Sequence, residues 1–257
     1  MDHLPPLLEQ PLLLLLSLAA NVLSAMAGGG AGLLQLPALI FLGLPLSMAL
    51  ATHKIATVAL GLGATLKHAR EGHTAWGFSL LMLAAGLPGV VVGANTILSV
   101  PPALAEVSLG VLTIGLGVYS YFKKQLGQQY QPCHRDLQGY LLGALGLFAL
   151  GVLNGSLTSG TGLFVTVWLI TWFGYDFKRA TAYTMILVGL FWNGTGALAL
   201  ALQTEVKWSW LPALLLGSLL GGYAGAYLAI KYSNPLIKRV FEVVTVAAGV
   251  ALIVQHI

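Results

Sequence analysis

Two glycine-rich stretches in this chain have the composition of an anion site. The first holds Gly28, Gly29, Gly30 and Gly32. The second is the run N-G-S-L-T-S-G-T-G, which contains Asn154, Ser156, Ser159, Gly160, Thr161 and Gly162. Each opens a short apolar stretch that reads as a helix. The first amides of a helix have no intrahelical partner and sit at the positive end of its dipole, so they attract anions. Glycine lets that backbone approach a ligand closely, and the serine and threonine hydroxyls add donors. The competing reading is close packing of small residues between membrane helices. For one such turn packing is favoured. For two at matching places the readings stand level, because paired helix breaks mark transporter sites.

A second feature is the run Thr52-His53-Lys54. Lys54 falls inside an apolar span, where a charge is costly and points to function. Near Gly28–Gly32 it completes an anion site; the alternative is that its stem snorkels to the interface. His53 can titrate near neutral pH and couple protons, or simply hydrogen-bond a neighbouring helix. In the second half, Tyr183-Thr184-Met185 stands where this run would recur, and Asn193 lies mid-span; both Thr184 and Asn193 are candidate binding residues. No Asp or Glu lies deep in an apolar span, which disfavours a cation or metal exporter. Cys133-His134 is too small a set for a metal. Ser159 lacks a histidine partner on a later helix, so no catalytic residue is assigned. The expectation is a non-enzyme without cofactor or metal.

These residues need membrane helices to carry them. Of 257 residues, 57% are hydrophobic and 8% charged, where soluble domains carry about 25% charged residues; mean hydropathy is +0.86. Residues 10–53, 72–105 and 137–175 contain no Asp, Glu, Lys or Arg. Each stretch exceeds the ~20 residues that span a bilayer as a helix. A soluble enzyme, a nucleic-acid binder and a disulfide scaffold are disfavoured; the chain has one cysteine and a net charge of +4. The predicted fold class is an all-α polytopic membrane protein. Leu12–Leu16 with Ala25-Met26-Ala27 imitates a signal peptide, but Asp2 and Glu9 replace the expected basic residues, and the segment reads as a retained helix.

The chain also repeats. Gly30-Ala31-Gly32-Leu33 matches Gly160-Thr161-Gly162-Leu163, Gly43 matches Gly174, Ala49-Leu50-Ala51-Thr52 matches Ala180-Thr181-Ala182-Tyr183, Trp76 matches Trp208, Gly89 and Gly93 match Gly221 and Gly225, and Pro102 matches Pro235, at offsets of 130 to 133. Each half holds five apolar segments: 11–27, 30–43, 47–66, 76–98 and 103–122, then 138–155, 160–173, 180–202, 208–230 and 236–256. An odd number per half inverts the second. The second segment of each half is too short to span, at about 16 Å for 33–43, and is expected as a broken or re-entrant helix. Ten of the 12 Lys and Arg fall on the side opposite the N-terminus, leaving Lys207 on the other side and Lys54 inside. By the positive-inside rule the basic side is cytoplasmic and both termini lie outside. The expected organisation is a first transmembrane repeat (1–122), a cytoplasmic link (123–137) and a second, inverted repeat (138–257).

The chain resembles the TauE/SafE family of anion permeases, the sulfite exporter family. The resemblance rests on GGGAGLLQLPALIFLGLPLSMALATHK, KHAREGHTAW at 67–76, GSLTSGTGLFVTVWLITWFGYDFKRATAYT and NGTGAL at 193–198, and it covers nearly the whole chain. His53 stands where the family often has Asn. The resemblance implies a multi-pass protein of the cytoplasmic (inner or plasma) membrane that moves sulfite, organosulfonates or related small anions, often outward. Gly28–Gly32, Thr52 and Lys54 match its first motif and Ser159–Gly162 its second. The expected mechanism is alternating access around a midplane anion site. The expected partners are a small anionic substrate and the lipid bilayer, with no nucleic acid; a homo-oligomer is left open. The alternatives are a permease for another solute such as a carboxylate, a membrane-embedded enzyme, or a structural membrane subunit.

Overall fold

The computed structural model describes residues 6–68, 76–96, 101–157 and 160–254. Among the described residues the chain forms only helices: α1 (Pro6–Ala27), α2 (Ala31–Phe41), α3 (Leu46–His68), α4 (Trp76–Thr96), α5 (Pro102–Phe122), α6 (Leu137–Leu157), α7 (Thr161–Phe173), α8 (Phe177–Ala201), α9 (Leu211–Lys231) and α10 (Asn234–Val254). A backbone in lipid must satisfy its own N–H and C=O groups, which long apolar segments do as helices. Six helices, α1, α3, α4, α6, α8 and α9, are long and apolar enough to cross a membrane. The protein is therefore a multi-pass membrane protein. The middle of α8, Thr184–Trp192, winds as a π-helix.

The two short helices are built alike. Left-handed Gly30 (φ 102°) precedes α2 and left-handed Gly160 (φ 74°) precedes α7; Gly43 (φ 100°) and Gly174 (φ 70°) end the turns that follow them. The α2 helix has 11 residues, about 16 Å of rise. It folds back along α1, since Gln35 donates to Ser17 and Leu36 and Leu39 pack in the cluster that holds Leu13. The segments expected at 30–43 and 160–173 are thus short helices, and α2 is the return arm of a hairpin.

Helices pair across the two halves. The α1 and α9 helices run parallel: Gln10 donates to the Ser209 carbonyl at one end, Ser17 to that of Leu214 further in, and Gly225 lies against Val22 and Ala25. The α4 and α6 helices run parallel in the same manner, with Gly86 on Gly151, Gly155 on Val90, and Gly93 on Val152. Antiparallel α5 and α10 meet at Gly117–Thr245 and Gly110–Gly249. Helices α3 and α8 cross at the centre, backbone to backbone, at Gly61 and Gly189.

These contacts define two ends of the bundle. Gln203 donates to Asn95 at one end, where the Lys207 amide also donates to Thr52. At the other end Lys178 donates to the Ile230 carbonyl, Asn234 to that of Gln128, and Lys67 and Lys231 flank the Tyr227 ring. This second end also carries Lys123, Lys124, Arg135, Arg179, Lys238 and Arg239, and is called the basic face below. Arg70, expected with them, lies outside the described residues. Arg135 tethers the link between α5 and α6: its guanidinium lies 4.9–5.4 Å from the centres of the Phe78, Phe173 and Tyr175 rings and donates to the Phe173 carbonyl. Burial first, and then Tyr183, push the Tyr175 phenol above its usual range, so the phenol stays neutral beside Arg135.

A Cβ at Gly221 would lie 2.8 Å from the Leu18 carbonyl oxygen and from Asn21, whereas one at Gly115 would meet nothing within 4 Å. Overpacking against backbone costs about 3 kcal/mol. Gly221→Leu is expected to lower the thermal unfolding midpoint of the detergent-purified protein or prevent its purification, and Gly115→Leu to leave the midpoint in place.

Candidate functional site

The two glycine turns touch. Gly28, Gly29 and Gly30 all have positive φ, at 82°, 141° and 102°. A Cβ on Gly29 would lie 2.6 Å from the Gly162 backbone, and one on Gly162 would lie 2.9 Å from the Gly29 Cα. Side chains are therefore excluded from both positions. The Gly29 amide closes α1 on the Ser24 carbonyl at 2.8 Å. Thr166 of α7 donates to the Gly28 carbonyl at 2.8 Å, which spends its only proton, so the Thr184 hydroxyl 3.0 Å away is the donor in their contact.

Beside this junction lies a cavity of about 30 Å³, room for about two waters. It is lined by Ser24 of α1, Gly29, Gly30, Ala31 and Gly32, then His53, Thr57 and Leu60 of α3, and Asn154 of α6. Thr161 and Gly162 of α7 and Thr184, Met185, Val188, Gly189 and Asn193 of α8 complete it. The starts of α2 and α7 both contribute to the lining. Neither helix has a side-chain cap at its N-terminus, so both helix starts border this space with the positive ends of their dipoles. The Ser24 hydroxyl is buried and without a hydrogen-bond partner among the described residues. No carboxylate is among the described residues that line it. The site is rich in donors, with an apolar side formed by Leu60, Met185 and Val188.

Lys54 stands one step behind the cavity. It is fully buried and donates to the Asn154 main-chain carbonyl and, at 3.1 Å, to its side-chain oxygen. That carbonyl belongs to the last turn of α6, where backbone acceptors lack helical partners. A cation there also suits the negative end of the helix dipole. A side chain at Gly196 would collide with the Lys54 stem, its Cβ 2.5 Å from Cε. No carboxylate among the described residues makes an ion pair with Lys54. Asn154 carries the lysine's influence onward, since its amide donates to Thr161 at 2.9 Å and Asn193 at 3.3 Å, both on the cavity wall.

His53 is held from the opposite side. The Gln35 amide nitrogen donates to Ser17 at 3.1 Å, which turns its oxygen toward His53 Nδ1 at 2.9 Å, so Nδ1 carries a proton. Ser17 in turn donates to the Leu214 carbonyl and lies 3.0 Å from Ser218. This buried chain ties α1, α2, α3 and α9 together. The pair Gln35–His53 has a counterpart in Thr166–Thr184, each joining residues 18 apart.

Of the residues singled out from sequence, Gly29, Gly30, Gly32, His53, Asn154, Thr161, Gly162, Thr184 and Asn193 meet at the cavity. Gly28 packs beneath it against Thr166 and Thr181, and Gly160 sets the start of α7. Two candidates have their hydrogen bonds elsewhere. Thr52 accepts from the Lys207 amide at the end of the bundle opposite the basic face: successive helical residues turn by about 100°, and of this buried run only His53 lines the cavity. Ser156 bonds back to its own helix at the Val152 and Leu153 carbonyls. Ser159 lies outside the described residues. Ser24, Gln35, Thr57 and Thr166 were not foreseen. A repeat offset of 131 pairs Gln35 with Thr166, and that pairing was the available signal.

The family model described as sulfite exporter TauE/SafE matches residues 13–252. A probable membrane transporter protein, ORF9 of a Sinorhizobium species, is 28% identical over 91% of this chain and 88% of its own. One from Haemophilus influenzae is 29% identical over 85% and 84%, and YfcA of Escherichia coli K12 is 26% identical over 94% and 88%. No solved structure matches. With a multi-pass helical fold, two glycine turns meeting at a donor-lined cavity, and a family match along nearly its full length, the chain belongs to the TauE/SafE family of membrane transporters.

Proposed function

We propose that the protein carries a small sulfur oxyanion, sulfite before organosulfonates, across the cytoplasmic membrane by alternating access. The carrying observation is the cavity between the starts of α2 and α7, lined by donors and by no carboxylate. An anion entering a dry interior must have its hydration replaced by fixed donors. The starts of α2 and α7 with their positive dipole ends, the Ser24 hydroxyl, and the Asn154 amide once it leaves Thr161 and Asn193 supply them. The cavity takes about two waters, and sulfite has four heavy atoms. Loading therefore requires the two turns to part, with Lys54 released from the end of α6 to follow the anion.

In this reading residues 1–122 and 138–257 are oppositely oriented repeats that rock against each other about the α3–α8 crossing. The paired packing of α1 on α9 and α6 on α4, and the recurrence of the Gln35–His53 bond as Thr166–Thr184, support it. The basic face would be cytoplasmic by the positive-inside rule, with both chain termini outside. The apolar wall of Leu60, Met185 and Val188 favours one second reading, a short carboxylate whose tail lies against it.

Flux of sulfite into proteoliposomes tests the site. Lys54→Met removes charge-assisted bonds worth about 1.5–3 kcal/mol, so flux is expected to fall about ten- to a hundredfold, with Ser156→Ala unchanged. The Lys54→Met protein should still purify as a folded species. Flux equal to wild type would remove Lys54 from transport.

Competition separates the substrates. Sulfite is expected to compete best, followed by sulfoacetate, and taurine weakly, because its ammonium finds no carboxylate on the cavity wall. Acetate competing as well as sulfite would favour the carboxylate reading.

A further inference from the structure

We propose that a groove on the basic face, between the end of α5, the link 123–136 and the end of α7, holds the headgroup of an anionic phospholipid. Its volume is about 520 Å³, within the size range of small-molecule sites, and it shares no lining residue with the central cavity. Its lining combines polar and cationic residues, Lys123, Lys124 and Gln129, with apolar ones, Phe122, Leu126 and Ile170. The two ammonium groups make no ion pair with a carboxylate among the described residues. Nearby acids are engaged elsewhere: Asp136 accepts from the Gly139 amide and Asp176 holds Arg179.

The position of the groove selects a lipid over a soluble anion. Val111 and Val118 on α5 are exposed, which makes that surface of the helix lipid-facing, and exposure rises to 68% at Tyr121 and 75% at Phe122, immediately before the lysines. The apolar wall thus continues the lipid-facing surface and the cations stand at its rim. A phosphate diester there meets both lysines while its acyl chains follow Phe122 along α5. Basic pockets at the end of membrane helices recognise anionic headgroups in this manner. The inference depends on membrane insertion and not on the substrate of the central cavity.

Cys133 lines the groove and is the single cysteine of the chain, so it reports occupancy. The full chain is placed in nanodiscs of phosphatidylcholine, or of phosphatidylcholine with one part in three phosphatidylglycerol, and labelling by N-ethylmaleimide is followed by mass spectrometry. Phosphatidylglycerol is expected to slow labelling several-fold, and the double variant Lys123→Gln/Lys124→Gln to abolish the slowing. Millimolar glycerol phosphate with phosphatidylcholine discs is expected to give no protection. Equal rates in the two discs would overturn the proposal. So would slowing that survives in the double variant, which is a surface-potential effect, or equal protection by glycerol phosphate, which marks a soluble-anion site. Native mass spectrometry gives a second readout: wild type should retain one phosphatidylglycerol that the double variant loses, and retention equal in both would contradict the assignment.

Discussion

A helix that breaks inside a membrane exposes amides and carbonyls that lipid cannot satisfy, and this chain breaks twice. The breaks are tolerable because each is packed against the other. Gly29 and Gly162 meet with no room for a side chain on either, and Thr166 of the second break caps the Gly28 carbonyl of the first. Both breaks leave short helices whose N-terminal ends border one small space. The parallel pairs α1–α9 and α4–α6, close-packed through glycines, hold the two breaks at the same depth.

That arrangement gives the interior a positive character without exposing a charge directly. Lys54 is buried and bound to the end of α6, so its charge offsets the negative end of that helix dipole. Asn154, which it grips, presents its amide toward the cavity wall. The lysine therefore both stabilises a helix end and polarises the site. In the proposed function, loading by an anion changes helix packing at this side chain: an anion that draws Lys54 away would leave the last turn of α6 without its cation. The π-helical winding of α8 lies against the same cavity, through Thr184, Met185, Val188 and Gly189, and π segments recur at functional sites.

Much of this was legible in the chain. Charge-free stretches and hydropathy give the membrane fold, and the matching glycine clusters give the short helices, because only glycine readily takes the left-handed conformations at their ends. A lysine in an apolar span stands out for its cost. Other features were hidden for physical reasons. Ser24, Gln35 and Thr166 are isolated polar residues in apolar helices, and sequence cannot say which will face inward. Thr52 and Lys54 flank His53, yet the helix sends the three in different directions: toward Lys207, toward Asn154, and into the cavity. Ser156 belongs to the second glycine motif, and its hydroxyl bonds its own helix, as a serine in a helix readily does. The parallel pairing of α1 with α9 joins segments almost 200 residues apart, which no local pattern encodes.

In the proposed function the two glycine-opened helix starts hold one anion between them. Selenite, a heavier analogue of sulfite, tests this most directly in an experimental structure of the selenite-soaked protein, with selenium located by its anomalous scattering. One selenium peak is expected in the cavity, with its oxygens within hydrogen-bond distance of the helix starts at Gly32 and Gly162 and of Asn154. A peak found only on the basic face, or no peak in a protein that transports selenite, would contradict it.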